Sequence, residues 1–163
     1  MALIIEDGTN VAGANSYVTE AELQSYLDQR GLTLPAGTNL QPLIFRAMDY
    51  LESLSFNGVR TFDGQVLSFP RQGIYVDNVE LAKDSIPTML KQALCRLAYE
   101  SNSQELLPTS NGKVVVRERV EGAVDVSYDA NLSSSLPSFA LVDALLKPLI
   151  SGGTFGQLKV KRG

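Results

Sequence analysis

Along Leu40, Leu43, Ile44, Ala47, Met48, Leu51 and Leu54, apolar residues recur at intervals of three and four, the spacing of a helix with one buried face. Asn39 suits its N-cap, and Pro42 falls in the first turn, where amides have no intrahelical acceptor. A shorter helix precedes it. Thr19 and Glu22 have the spacing of a capping box, Ala21, Leu23, Tyr26 and Leu27 share a face, and Gly31 suits the left-handed position after Arg30. A third helix is predicted from about Ser85, with Pro87 in its first turn and Met89, Leu90, Ala93, Leu94, Leu97 and Ala98 on one side. The fourth is predicted from Pro137 to Lys147, burying Phe139, Val142, Leu145 and Leu146, with Pro148 ending or kinking it.

Between the helices the pattern changes. Residues 1–18 carry Leu3-Ile4-Ile5 and then Gly8, Gly13 and Asn15, and read as an extended arm and loop. Residues 56–84 have no sustained period and several turn pairs, Asn57-Gly58 and Asp63-Gly64 among them; they predict a long ordered loop with one short strand at most. From Lys113 the period becomes two: Val114, Val116, Glu118 and Val120 alternate with Val115, Arg117 and Arg119, and Val124, Val126 and Tyr128 follow Glu121-Gly122. That pattern predicts a β-hairpin over about residues 113–128, turning at Glu121-Gly122. After residue 150, Ser151-Gly-Gly-Thr-Phe-Gly156 reads as a linker, followed by the alternating basic stretch Gln157-Leu-Lys-Val-Lys-Arg-Gly163. The expected architecture is mainly α: a four-helix-dominated bundle over 1–150 with an inserted β-hairpin and extended N- and C-terminal arms, the latter a flexible basic arm over 151–163.

Composition narrows the chemistry. The 163 residues are 44% hydrophobic and 20% charged, with no His, no Trp and one Cys. A chain this long buries roughly 70% of its unfolded surface, so neither a disulfide nor a metal is required for folding. Without His, every Ser-His, Cys-His and His-metal site is excluded, and Cys95 alone makes neither an internal disulfide nor a thiolate zinc site. Within the third helix Cys95 is expected to pack as a small apolar side chain. Gly8-x4-Gly13 has the glycine spacing of a phosphate loop, but Ala14 and Asn15 stand where Lys and Ser/Thr are needed. Glu6, Asp7, Asp77, Glu80 and Asp84 form no calcium-loop pattern and are expected to be solvated surface charges. Tyr26, Tyr50 and Tyr99 lie in helices and are expected at the core edge rather than as base-stacking platforms. The first residues lack the basic and apolar regions of a secretory signal, which predicts a cytoplasmic product, and no apolar stretch reaches the roughly 20 residues that span a bilayer.

The net charge of −4 opposes general nucleic-acid gripping, yet it is unevenly spread. Residues 1–50 hold six acids and two bases, and residues 113–163 five acids and seven bases; beyond Ser151 there are three bases and no acid. Alternation of Leu158 and Val160 with Lys159 and Lys161 would let the tail add as a strand to another protein's sheet edge; the alternative is a disordered tail with solubilising charge.

Several segments occur in a familiar order: Gly13-Ala-Asn-Ser-Tyr17-Val before a short acidic helix, Met48-Asp-Tyr-Leu51, Phe56-Asn-Gly-Val-Arg60, Ser68-Phe-Pro-Arg71-Gln-Gly73 and Ile86-Pro87 opening a helix. The hairpin Val116-Arg-Glu-Arg-Val-Glu-Gly122 and Leu145-Leu-Lys-Pro-Leu149 complete it. Together they resemble the head–tail connector, or head-completion adaptor, proteins of tailed phages, a group often labelled DnaT-like single-stranded-DNA-binding proteins. Phe69 stands where that pattern more often has Trp. The resemblance implies a non-enzymatic virion protein of the head–tail neck, assembled in the host cytoplasm, with no cofactor, metal or membrane partner. It implies a closed ring of commonly about twelve copies beneath the portal protein. The tail or a head-closure protein would dock below, and double-stranded DNA would pass loosely through. It further implies that Phe155, Leu158, Lys159, Val160, Lys161 and Arg162 reach the portal, and that Arg117, Glu118, Arg119 and Glu121 make ring contacts or line the lumen. The rival function is single-stranded-DNA binding; carboxylate or serine chemistry without His is a third class.

Overall fold

The computed structural model describes residues 2–108 and 138–150. Four helices appear in order: α1 (Glu20–Gln29), α2 (Leu40–Glu52), α3 (Thr88–Glu100) and α4 (Ala140–Leu146). The capping box forms as read: Thr19 Oγ1 accepts from the Glu22 amide at 3.1 Å, and Glu22 Oε2 accepts from the Thr19 amide at 2.7 Å. Gly31 takes the left-handed conformation at φ 62°. Asn39 caps α2 by accepting from the Gln41 amide.

The later helix starts differ. Pro87 is the N-cap of α3 instead of lying in its first turn, because its backbone is extended at φ −58° and ψ 135°. Its carbonyl nevertheless accepts from the Leu90 and Lys91 amides, which opens the helix at Thr88. The fourth helix is shorter than the apolar pattern predicts, beginning at Ala140 after Phe139 rather than at Pro137.

At the centre is α3, which packs against all three other helices, while α1 also touches α2. Three neighbours require burial around much of one cylinder. The α3 sequence provides it with Leu90, Ala93, Leu94, Cys95, Leu97 and Ala98, of which Ala93, Cys95 and Ala98 are small enough for close approach. One continuous core joins these residues to Leu43, Ile44, Ala47 and Leu51 of α2 and to Val142 and Leu146 of α4.

Two expectations are corrected. The N-terminal stretch is no extended arm: Ile5 bridges Ser16 in parallel, the Glu6 amide donates to the Ser16 carbonyl, and Ala14, Ser16, Tyr17 and Val18 are buried. The 56–84 region holds four short strands rather than at most one. β1 (Val59–Arg60) pairs antiparallel with β2 (Arg71–Gln72), and β3 (Tyr75–Val76) with β4 (Val79–Glu80). Asp77 and Asn78, both at positive φ, close the second pair as a two-residue turn, the geometry that matches strand twist. The described part is therefore helix-rich with two small antiparallel hairpins. The predicted 113–128 hairpin and the arm over 151–163 lie outside the described residues.

Candidate interaction surface

The 56–84 region is tied to the helical body by a buried polar network. Glu52, the last residue of α2, accepts at Oε1 from the Tyr17 hydroxyl at 2.6 Å and at Oε2 from the Ser68 amide and hydroxyl at 2.9 and 2.8 Å. Tyr17 in turn accepts from the Phe69 amide at 3.0 Å. Burial, then the adjacent Glu52 carboxylate, pushes the Tyr17 hydroxyl well above its ordinary pKa, so it stays a neutral donor. Phe69 lies beneath, edge-on to Phe56 and Tyr17 with ring centroids 5.0 and 6.4 Å away.

Arg71 completes the frame. Its guanidinium donates to the carbonyls of Asn57 at 2.7 Å and Gly58 at 2.8 Å, and at 3.3 Å to those of Phe56 and Ser68. A planar fork of donors suits a turn whose carbonyls converge. Asn57 extends the frame to the end of the helical core: its amide donates to the Leu149 carbonyl at 2.8 Å and its side chain to those of Pro148 and Ile150. Phe56 also bridges Ile150 antiparallel. Gly58, at φ 68°, would place a Cβ 2.3 Å from the Gln72 carbonyl oxygen. The segments Phe56–Arg60 and Ser68–Gly73, singled out by resemblance, thus build the scaffold of this region.

What the scaffold presents is apolar. Val59, Val66, Tyr75 and Val79 are exposed, with Tyr75 at 61% and Val79 at 67% the two most exposed large apolar residues described. Tyr75 faces Glu80 across the ladder and Val76 faces Val79.

Several candidate sites resolve into structural roles. Glu6 is not a solvated charge. It is 2% exposed, and its carboxylate accepts from the amides of Gly8, Asn10 and Val11 at 2.9–3.0 Å. The convergent donors of the Gly8–Gly13 loop, a geometry suited to anions, are filled by the chain's own carboxylate. Glu6→Ala is therefore expected to cost about 2 kcal/mol by stranding those amides, read as a lower urea midpoint; Glu105→Ala, at an exposed position outside this loop, serves as control. Cys95 is buried as expected, and its thiol is pushed up to about 12 chiefly by burial and then by Glu22. Tyr26 and Tyr50 are buried rather than at the core edge, and Tyr99 is partly buried. Among the described residues no cluster of His, Cys, Asp and Glu could hold a metal, and no helix is long and apolar enough to cross a membrane.

The sites expected from the resemblance, Arg117, Glu118, Arg119 and Glu121 with Phe155, Leu158, Lys159, Val160, Lys161 and Arg162, lie outside the described residues. The described residues hold fourteen acids and eight bases, a net −6; the remainder holds four acids and six bases, a net +2. Sequence reasoning missed Glu6, Glu52 and Arg71, whose partners are set by the folded loops. It also missed the β3–β4 hairpin, although Val76-Asp77-Asn78-Val79 carries its turn signature.

Helices around a central α3, with a braced loop region presenting apolar side chains, give the described residues a helix-rich, mixed architecture with an exposed apolar surface. The family described as "Putative DnaT-like ssDNA binding protein" matches residues 1–163, and the chain belongs to that family. No curated protein and no solved structure matches the chain.

Proposed function

We propose that the protein is a head–tail adaptor of a tailed phage, forming a ring beneath the portal that completes the filled head, offers a docking surface to the tail or a closure protein, and lets double-stranded DNA pass. The observation that carries this reading is the acidic described body, net −6, whose aromatic side chains other than Tyr75 are buried or partly buried. Such a body repels phosphate and, among the described residues, exposes the ring of Tyr75 alone where a stacking groove needs several, which suits a conduit better than a gripping surface. The ordered run of motifs supports it, since those segments form the scaffold that displays Val59, Tyr75 and Val79.

The second reading is single-stranded-DNA binding, favoured by the description of the family to which the chain belongs. Its chemistry would have to come largely from the six bases outside the described residues. Electron microscopy of the protein mixed with the portal protein of its phage, beside an oligonucleotide titration at low and high salt, separates the two. The adaptor reading expects a ring on the portal and no salt-dependent oligonucleotide complex. A micromolar or tighter, salt-sensitive complex without a ring would overturn it in favour of the second.

A further inference from the structure

We infer that the β3–β4 hairpin is a docking edge for the C-terminal segment of a second copy of this chain, residues 158–162 adding beside it as a third strand. A two-residue ladder is marginal alone and gains from another strand. Its two faces differ in a way the segment matches. Cross-strand register puts Val76 with Val79 on one face and Tyr75 with Glu80 on the other. As a strand, the segment puts Leu158 and Val160 on one face and Lys159 and Lys161 on the other. Apolar then meets apolar, while lysine ammonium groups meet the Glu80 carboxylate and the Tyr75 ring. Charge agrees more broadly: residues 73–82 contain Asp77 and Glu80 and no base, whereas 151–163 contain three bases and no acid.

A second copy is the occupant because a contact handed from copy to copy is the kind that builds a ring. Ile150 runs antiparallel to Phe56, so at that point the chain heads toward Ser55 and Leu54 at the end of α2 and away from β1. Thirteen residues remain beyond it, enough for roughly 40 Å when extended. Repeated from copy to copy, such a contact is heterologous and closes into a ring when its rotation permits. The inference deepens the ring reading and rests on it for the presence of neighbours. It gives residues 158–162 the adjacent subunit as partner, with the portal as the competing occupant.

Single-cysteine substitutions in the full chain test it, because the natural Cys95 is buried and is an internal control. Val79→Cys protein mixed with Val160→Cys protein and mildly oxidised is expected to give a disulfide-linked pair containing one of each. In sedimentation, Lys159→Glu/Lys161→Glu and Glu80→Lys are each expected to weaken self-association about tenfold, and their equal mixture to recover it. Absence of the mixed disulfide, self-association unaffected by the reversals, or a wild-type chain monomeric at every concentration would overturn the inference. So would a tail-reversed protein that loses only portal binding, which would assign the segment to the portal. A portal-bound ring in which the mixed disulfide fails to form keeps the adaptor reading and removes this contact alone.

Discussion

Phe69→Ala is expected to destabilise the domain by about 4 kcal/mol, near the upper range for removing a buried ring, because little around the site can collapse into the space. Phe69 is 1% exposed and lies edge-on to both Phe56 and Tyr17. Its own amide donates to the Tyr17 hydroxyl, which is held on Glu52, so movement to fill the cavity would break a buried polar network. Chemical denaturation monitored by circular dichroism gives the figure. The more telling comparison is Phe69→Leu, which keeps most of the apolar volume and is expected to lose about half as much. Equal losses for the two substitutions would show that the aromatic edge contacts, not the volume, dominate.

Arg71→Ala is expected to cost about 3 kcal/mol, since one guanidinium serves four carbonyls and its removal strands several partly buried acceptors together. Arg71→Lys is expected to recover little. A lysine ammonium cannot reproduce a planar fork directed at the carbonyls of Phe56, Asn57, Gly58 and Ser68. The loss should be local as well as global: amide hydrogen exchange is expected to accelerate in residues 56–73 before it does so in α3. Uniform acceleration throughout the domain would count against Arg71 as the organiser of this loop.

These two residues show why legibility divides as it does. The helices were readable because their determinants are close in sequence: Thr19 with Glu22, Arg30 with Gly31, and the apolar period of α2. Helix starts were less so: α3 opens at Thr88 behind the extended Pro87, and α4 at Ala140 behind Phe139. The polar interior was not readable. Tyr17 and Glu52 are 35 residues apart, and Glu6 acts on three amides of a loop whose path periodicity does not encode. A carboxylate in a glycine-containing stretch resembles surface charge until the loop closes round it. Local order was also missed where it was short: a two-residue strand gives no period, and only the Asp77-Asn78 turn pair betrays the β3–β4 hairpin. The resemblance located Ser68–Gly73 without explaining it, and the hydrogen bonds of Ser68 and Arg71 supply the reason.

The bonds from Asn57 to residues 148–150 give the protein a definite mechanical character. If the C-terminal segment is held by another molecule, tension on it first meets the Asn57 bonds to the Pro148, Leu149 and Ile150 carbonyls, and behind them the Arg71 fork. Force then passes into the loop platform and the end of α2 rather than peeling α4 from the bundle turn by turn. A pull at the chain end is shared by residues nearly a hundred positions away, so the end of the chain is anchored in the loop platform and not in α4 alone.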